Sequence, residues 1–410
     1  MGAVKKGNRS GTIPIWTGGI TQPVNGYTIG AHHPDPFSKD QVLFKINHAN
    51  VGKFSDKLSK GQIALLKANT DHYLKIYPTR RSSAYSQKVY DAVRKNATTA
   101  ALDDNGNGVK NSKIASPFPI PKNALEVMWN HILRYRGEFL HRKSYSTSVD
   151  RSGKYVPLLS EDKIRFNYAL GEDRNNKLLV SVIQRILEPP RLTGGILLVR
   201  EAVNQAQTAR QAWSYHKGQR RVRRAPSFAY DAYQSGSDGL RTVDEIDMYN
   251  GSPDRYNWKL LGKREMYIPF NNYKAHSNEA KFEALMQKRH LNPEFLRYEL
   301  HRVWVVEASL KKDKRHIYGK RTFYIDEDSW QITVVDTYNT HNELWRVAEG
   351  FSINYYQLPV QMYVLEVQHD LFANRYFSSG MHNGLSPVDF NVHYDKKNFR
   401  PVSIYRLGIR

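Results

Sequence analysis

From about residue 144 onward apolar and polar positions alternate with a period of two, in segments such as KIRFNYAL, KLLVSVIQRIL, RYELHRVWVVEASL, WQITVVDTY and QMYVLEVQ. Successive side chains of a strand point to opposite faces, so this pattern predicts strands with one face toward a core. The turns between them are short and polar, which implies a large antiparallel sheet, and a sheet of about ten or more strands must curl or close. Upstream the period is different. SDKLSKGQIALLKANTDHYL and KNALEVMWNHILRYRG space their apolar residues at three and four, which predicts helices within residues 50–97 and over 122–135, the second stopped by Gly137. Helical inserts are expected at 240–250 and, behind Ser277 as N-cap, at 278–289. Residues 1–45 are rich in Gly, Pro and aromatics without any period, as expected of an extended arm held down by Trp16, Tyr27 and Phe37.

These elements define the expected fold: mainly β within the α+β class, a large curved antiparallel sheet or incomplete barrel covered by helices. An extended N-terminal arm (1–45), a mainly helical segment (46–143) and an antiparallel half-barrel with helical inserts (144–410) form one structural unit.

Composition narrows the chemistry. The 410 residues are 40% hydrophobic and 12% aromatic, enough for a sizeable core. Lys and Arg outnumber Asp and Glu by 61 to 39, a net charge of +22, so the surface attracts anions such as phosphates, anionic lipid headgroups or acidic proteins. The absence of cysteine excludes disulfides, thiolate metal sites and cysteine nucleophiles. No stretch reaches the roughly 18–20 apolar residues that cross a bilayer, and MGAVKKGNRSGTIPIW lacks the apolar core of a signal peptide, which leaves a soluble chain or the mature part of an exported one.

Asp103, Asn105, Asn107 and Gly108 match the first half of a calcium loop, but its twelfth position is Ile114 instead of Glu, so a turn is expected. The histidine pairs His32/His33, His131/His141 and His301/His316 sit in no metal-ligand pattern, and no metal or other cofactor is expected. SGSDG has no strand-to-helix elbow around it to present a nucleophile. Asp326, Glu327 and Asp328 fall between two strands, where a solvated polar turn with ordinary carboxylates is expected; no catalytic residue is assigned.

The segment KGQRRVRRAPSF places Arg220, Arg221, Arg223 and Arg224 together without an acid. Charge on both faces of a strand implies a sheet edge, since an interior strand cannot keep unpaired cations. These four arginines are the candidate patch for an anionic membrane or acidic partner. Nothing in the chain resembles a nucleic-acid-binding module, so no nucleic acid is expected. In the hairpin YELHRVWVVEASLKKDKRHIYGKRTFYID, a turn centred on Lys312 and Asp313 sets Arg302 opposite Phe323 and Trp304 opposite Arg321. The inner face then carries Trp304, Phe323 and Ile325 as candidate cavity lining, with Arg302 or Arg321 for an anionic ligand head. The plainer account is an ordinary core in which both arginines find internal partners.

GTIPIWTGG, HPDPF, YPTRRSSAY, PFPIPKNALEVMWNHILRYRG, GQRRVRRAPSFAYD and YNWKLLGKREMYIPFNNYK together resemble the DUF1329 family of outer-membrane lipoprotein-sorting-like periplasmic proteins, over nearly the whole chain. The resemblance implies an incomplete barrel like that of the lipoprotein carriers, closed by helices around an apolar cavity. It further implies a periplasmic location and neighbours among inner-membrane transporters of the resistance-nodulation-division class and an outer-membrane protein. On this reading the chain is a non-enzymatic carrier or chaperone that passes a lipid, acylated protein or other hydrophobic ligand between membrane partners. Two alternatives stay open: an enzyme acting on a lipid or glycan in the same cleft, and a ligand-free scaffold that docks a transporter or anionic membrane.

Overall fold

The computed structural model describes residues 1–172, 178–225 and 230–409. In chain order its strands are β1 (Phe44–Asn47), β2 (Tyr73–Ile76), β3 (Ala101–Leu102), β4 (Val109–Lys110), β5 (Phe139–Val149), β6 (Leu158–Arg165), β7 (Leu178–Glu188), β8 (Ile196–Ala202), β9 (Gln211–His216), β10 (Arg221–Arg224), β11 (Tyr256–Pro269), β12 (Tyr298–Leu310), β13 (Lys320–Asp326), β14 (Ile332–Tyr338), β15 (Leu344–Tyr355), β16 (Val360–Asp370) and β17 (Arg375–Met381). The α-helices are α1 (Lys60–Ala68), α2 (Gln87–Thr99), α3 (Ala124–Ile132), α4 (Asn167–Leu170), α5 (Tyr273–His276), α6 (Phe282–Leu285) and α7 (Pro401–Gly408).

The protein is mainly β. Fifteen strands form one sheet in the order β1-β2-β12-β13-β14-β15-β16-β17-β5-β6-β7-β8-β9-β10, with β11 on the other side of β12, and the sheet does not close into a barrel. Pairing is antiparallel throughout except for β2 and β12, which meet in parallel through Ile76 and Tyr298, so the sheet is mixed. β3 and β4 form a separate hairpin around the Asn/Gly-rich segment, where Asp103 accepts from the Asn107 backbone N–H at 2.8 Å as a turn requires.

Both faces of the central strands are covered. Every residue of β14 is buried. One face carries the main core, into which α3 inserts Val127, Met128 and Ile132, while the other holds a second core of Leu65 from α1 with Val303, Val305, Tyr324, Val334 and Val347. α1 begins with a capping box between Ser59 and Gln62, and α3 with Asn123 accepting from the Glu126 N–H. A third, small core of Ile183, Ile196, Leu198, Tyr215, Phe399 and Ile404 lies apart, where α7 covers β8 to β10.

Three expectations change. The stretch expected to be helical at 50–97 contains β2 and an extended run before α2, because β2 draws its partners from β1 and β12. Ser277 terminates α5 instead of capping a long insert, and only Phe282–Leu285 is helical within 278–289. The β12–β13 register is displaced: Trp304 pairs with Ile325, Val306 with Phe323 and Ala308 with Arg321. The connection spans residues 311–319, longer than a tight turn, but the displacement is even, so the same side chains still share a face.

Candidate functional site

On the inner face of β12 and β13 the expected cavity lining is packed. Phe323 and Ile325 are fully buried, Phe323 lies 5.3 Å from the Tyr249 ring and 5.9 Å from Trp258, and Trp304 stacks on Trp330 at 6.2 Å between centroids. Arg321 is not free for a ligand. It donates to Asp244 at 2.8 Å and sits among the rings of Tyr249, Tyr256 and Tyr318, with centroids 4.8 to 5.7 Å away. Burial alone would raise the Asp244 carboxyl, but Arg321 and His316 hold it well below the ordinary carboxylate range. Arg302 donates to Glu327 at 2.6 Å and to the carbonyls of Val4 and Lys6. Both arginines therefore have internal partners, and the expected lining residues pack against aromatic neighbours.

The carboxylate run behaves differently from the expected solvated turn. Asp326, Glu327 and Asp328 are all buried. They are buried because cations from distant segments meet them: Arg81 binds Asp328 at 2.6 and 2.8 Å, Lys263 and Arg302 bind Glu327, and His301 binds Asp326 at 3.0 Å. Arg81 also donates to the carbonyls of Val4, Lys5 and Pro14, and Trp330 to that of Met1, so this corner ties down the beginning of the arm. The arm is fixed further along by Trp16, which donates to the Ser83 carbonyl at 3.1 Å, by Tyr27 edge-on to Tyr356 at 5.4 Å, and by Phe37 beneath Arg297.

His301, Asp326 and Asp328 bring one ligand-type atom each within 4.8 Å of one another. The donor set does not suit a cation. Both ring nitrogens of His301 face carboxylates, Asp326 at 3.0 Å and Glu299 at 3.2 Å. Burial opposes its charge, yet those two carboxylates push its pKa up to about 10, and Arg81 already occupies both oxygens of Asp328. Of the other histidines weighed in the sequence, His131 bonds backbone oxygens of Trp330 and Asp247, His141 meets Glu161 at 2.9 Å, and His316 sits on Asp244.

Two further carboxylates were not singled out in the sequence. Asp336 accepts from Ser59 at 2.8 Å and the Gly61 N–H at 3.0 Å, and Glu349 accepts from Gln62 and Tyr298, each at 3.0 Å. Burial pushes Asp336 up to about 6 and Glu349 up to about 7. They lie sealed beneath α1 and fix its first turn to the sheet.

The basic segment takes the expected edge position. β10 is the last strand of the sheet, and Arg221, Arg223 and Arg224 are exposed, with Arg220 exposed in the turn before them. Residues 226–228 lie outside the described residues. Arg210 is not part of the patch, since it pairs with Glu201 at 2.9 Å. On the face of β9 covered by α7 opens a cavity of about 500 Å3, lined by the cations Arg185, Lys217 and Arg220 and by Tyr215, Leu407 and Ile409. α7 buries Ile404, while Val402, Tyr405 and Ile409, three and four positions apart, form a partly exposed apolar stripe along it, Tyr405 reaching to 6.4 Å from the Tyr215 ring. Leu192, on the β7–β8 turn, is exposed at the same end.

A family model described as a protein of unknown function, DUF1329, matches residues 45–404. This chain belongs to the DUF1329 family. It is 43% identical over 415 residues to the uncharacterized protein PA3922 of Pseudomonas aeruginosa, covering 100% of this chain and 91% of that one. Among solved structures, a candidate outer membrane lipoprotein-sorting protein domain from Vibrio parahaemolyticus shares 14% identity at a TM-score of 0.49, over 69% of this chain and 98% of the other. A DUF1329 family protein from Desulfovibrio piger shares 12% at a TM-score of 0.44, over 66% and 92%. These structural likenesses are partial, and the fold of the DUF1329 chain rests on its own strand pairing. Among its described residues no helix is long and apolar enough to cross a membrane.

Proposed function

We propose that this DUF1329 chain is a non-enzymatic binding protein that docks on an anionic membrane surface through the β9–β10 edge and α7. One observation carries the reading. Lys217, Arg220, Arg221, Arg223 and Arg224, which have no ion pair among the described residues, share an end of the sheet with exposed Leu192, Val402, Tyr405 and Ile409. Cations draw such a surface to anionic headgroups, and an apolar stripe beside them enters the boundary between headgroups and acyl chains. An acidic protein partner would satisfy the arginines but leave the stripe unexplained. The packed inner face favours docking over storage of a ligand inside the sheet. The enzymatic alternative is disfavoured because the buried acids and histidines described above are engaged with one another or sealed beneath α1.

The wider role that we attach to docking is carriage, in the periplasm, of a hydrophobic ligand or acylated protein between an inner-membrane transporter of the resistance-nodulation-division class and an outer-membrane protein. It is what the resemblance of the sequence implies, and a foothold on a membrane is its first requirement.

Co-sedimentation with vesicles containing phosphatidylglycerol, against vesicles of phosphatidylcholine alone, tests the docking. Each cation near an anionic surface contributes about 1 kcal/mol, so a chain with Arg221→Gln, Arg223→Gln and Arg224→Gln should partition roughly a hundredfold less at low salt. Equal binding to both vesicle types, or binding indifferent to the three substitutions and to salt, would refute it.

A further inference from the structure

We infer that the cavity between α7 and the β7–β9 face is a headgroup pocket, which takes the phosphate of one anionic membrane lipid with the first carbons of its chains laid against α7. The inference rests on the docking reading and specifies what happens at its centre.

A volume of about 500 Å3 lies within the range of small-molecule sites, roughly 300–1,000 Å3, and is too small for the whole of a two-chain lipid. Its lining is mixed. Arg185 on β7, Lys217 after β9 and Arg220 in the following turn bring three cations to it. None of the three has an ion pair among the described residues. Glu161, opposite Arg185 on β6, is bonded to His141, and the Arg185 charge helps to lower its carboxyl without closing an ion pair. Its apolar lining comes from Leu407 and Ile409 at the end of α7 and from the buried ring of Tyr215. A guanidinium offers a planar fork of donors that matches phosphate oxygens, and the ammonium of Lys217 adds a movable charge.

The backbone around the cavity is specific. Gly408 lies so close to Tyr215 that an added Cβ would come within 2.1 Å of the ring, and at Gly194 one would come within 2.9 Å of the Lys217 side chain. Glycine at these positions lets the end of α7 and the β7–β8 turn approach the β9 face. The apolar lining continues outward through Ile409 into the stripe of Tyr405 and Val402. A lipid whose phosphate sits among the cations would therefore direct its chains along α7 toward the bilayer.

The test uses dihexanoylphosphatidylglycerol below its micelle concentration, dihexanoylphosphatidylcholine and inorganic phosphate, titrated calorimetrically into the full chain. Two variants separate pocket from edge: Arg185→Gln with Lys217→Gln and Arg220→Gln, and Arg221→Gln with Arg223→Gln and Arg224→Gln. Because Lys217 and Arg220 are exposed, Lys217→Gln with Arg220→Gln alone serves if loss of Arg185 disturbs the fold. We expect saturable binding of the glycerol lipid, at least tenfold weaker in the pocket variants and within twofold of the parent in the edge variant, with inorganic phosphate weaker still. No saturable binding, equal affinity in the pocket variants, or inorganic phosphate binding as tightly as the lipid would overturn the pocket. Vesicle binding that still depends on the edge arginines would then leave the docking reading standing.

Discussion

Arg81 and Asp328, 247 positions apart in the chain, face each other through two hydrogen bonds of 2.8 and 2.6 Å, both side chains buried. The same guanidinium holds the carbonyls of Val4, Lys5 and Pro14, so the ion pair is also the latch of the N-terminal arm. Removing one partner of a buried pair leaves an uncompensated charge and costs about 3–5 kcal/mol. We predict that Asp328→Asn lowers unfolding stability by that order and exposes residues 1–20 to limited proteolysis before the body of the protein is cut. Arg302→Gln, at a half-buried position on the same corner, should cost less. An arm equally protected in Asp328→Asn and the parent would show that Arg81 does not hold it.

His301 gives the same corner a dependence on high pH. Its folded value of about 10 exceeds the ordinary 6.5, because Asp326 and Glu299 favour the charged ring over the opposition of burial. A raised base stabilises fully below its unfolded value, and the contribution is lost as pH rises through the folded one. The stability gap between the parent and His301→Gln should therefore be a few kcal/mol at pH 7.5 and shrink markedly by pH 10.5, read by urea unfolding of both chains. The titration of exposed lysines and tyrosines is common to both and cancels. A gap that stays constant would place the charge elsewhere.

Beneath α1 the sign is opposite in effect at neutral pH. Burial raises Glu349 from 4.5 to about 7, and neighbouring Asp336 adds to it, so the fold prefers the protonated carboxyl. A raised acid contributes its stability below the unfolded value and loses it as pH rises through the folded one, on the order of 3 kcal/mol here. Glu349→Gln keeps a carbonyl to accept from Gln62 and an NH2 for the Tyr298 oxygen. It should match the parent near pH 4.5 and exceed it at pH 8 in chemical denaturation. Equal pH profiles would mean that the carboxylate is solvated in solution.

The strands were legible because branched and aromatic residues recur in short segments bounded by polar turns, as along Tyr298–Leu310 and Val360–Asp370, although both strands are largely buried on both faces. Parity on β12 and β13 was readable, since it depends on alternation alone, whereas the register needed the length of the 311–319 connection. β2 was not readable: four residues, YLKI, sit between helices, and their partners lie on β1 and β12. Burial of Asp326 to Asp328 was hidden for a similar reason, because the cations that permit it come from Arg81, Lys263 and the far side of β12. The arginines of β10 announced themselves by charge, but the cavity beside them arises only when the β7–β8 turn and α7 meet. Its one sequence signal was Pro401 opening an amphipathic run, PVSIYRLG, at the end of the chain.

His33 makes the arm sensitive to acid. Its ring lies 4.9 Å from Tyr27, 4.8 Å from Tyr355 and 4.9 Å from Tyr356, with His276 at 6.3 Å, and its Nε2 meets Gln357 at 2.6 Å. Among these neighbours there is no carboxylate to receive a charged ring. Burial accordingly lowers its pKa to about 4, Gln357 opposing and His32 assisting. For a base with a depressed folded value, the unfolded chain takes up the proton first, so stability is complete above about 6.5 and is lost as pH falls toward 4, on the order of 3 kcal/mol. Replacing the imidazole by a ring that cannot be charged removes this loss while keeping the aromatic contacts with Tyr27, Tyr355 and Tyr356. We predict that His33→Phe is less stable than the parent at pH 7.5, where it lacks the Gln357 hydrogen bond, and that the order reverses by pH 4.5. Urea unfolding at the two values, with Tyr27→Phe as a control that leaves the histidine in place, separates the titration from a general loss of packing. A His33→Phe chain that loses as much stability as the parent on acidification would show that the arm stays seated over a charged histidine.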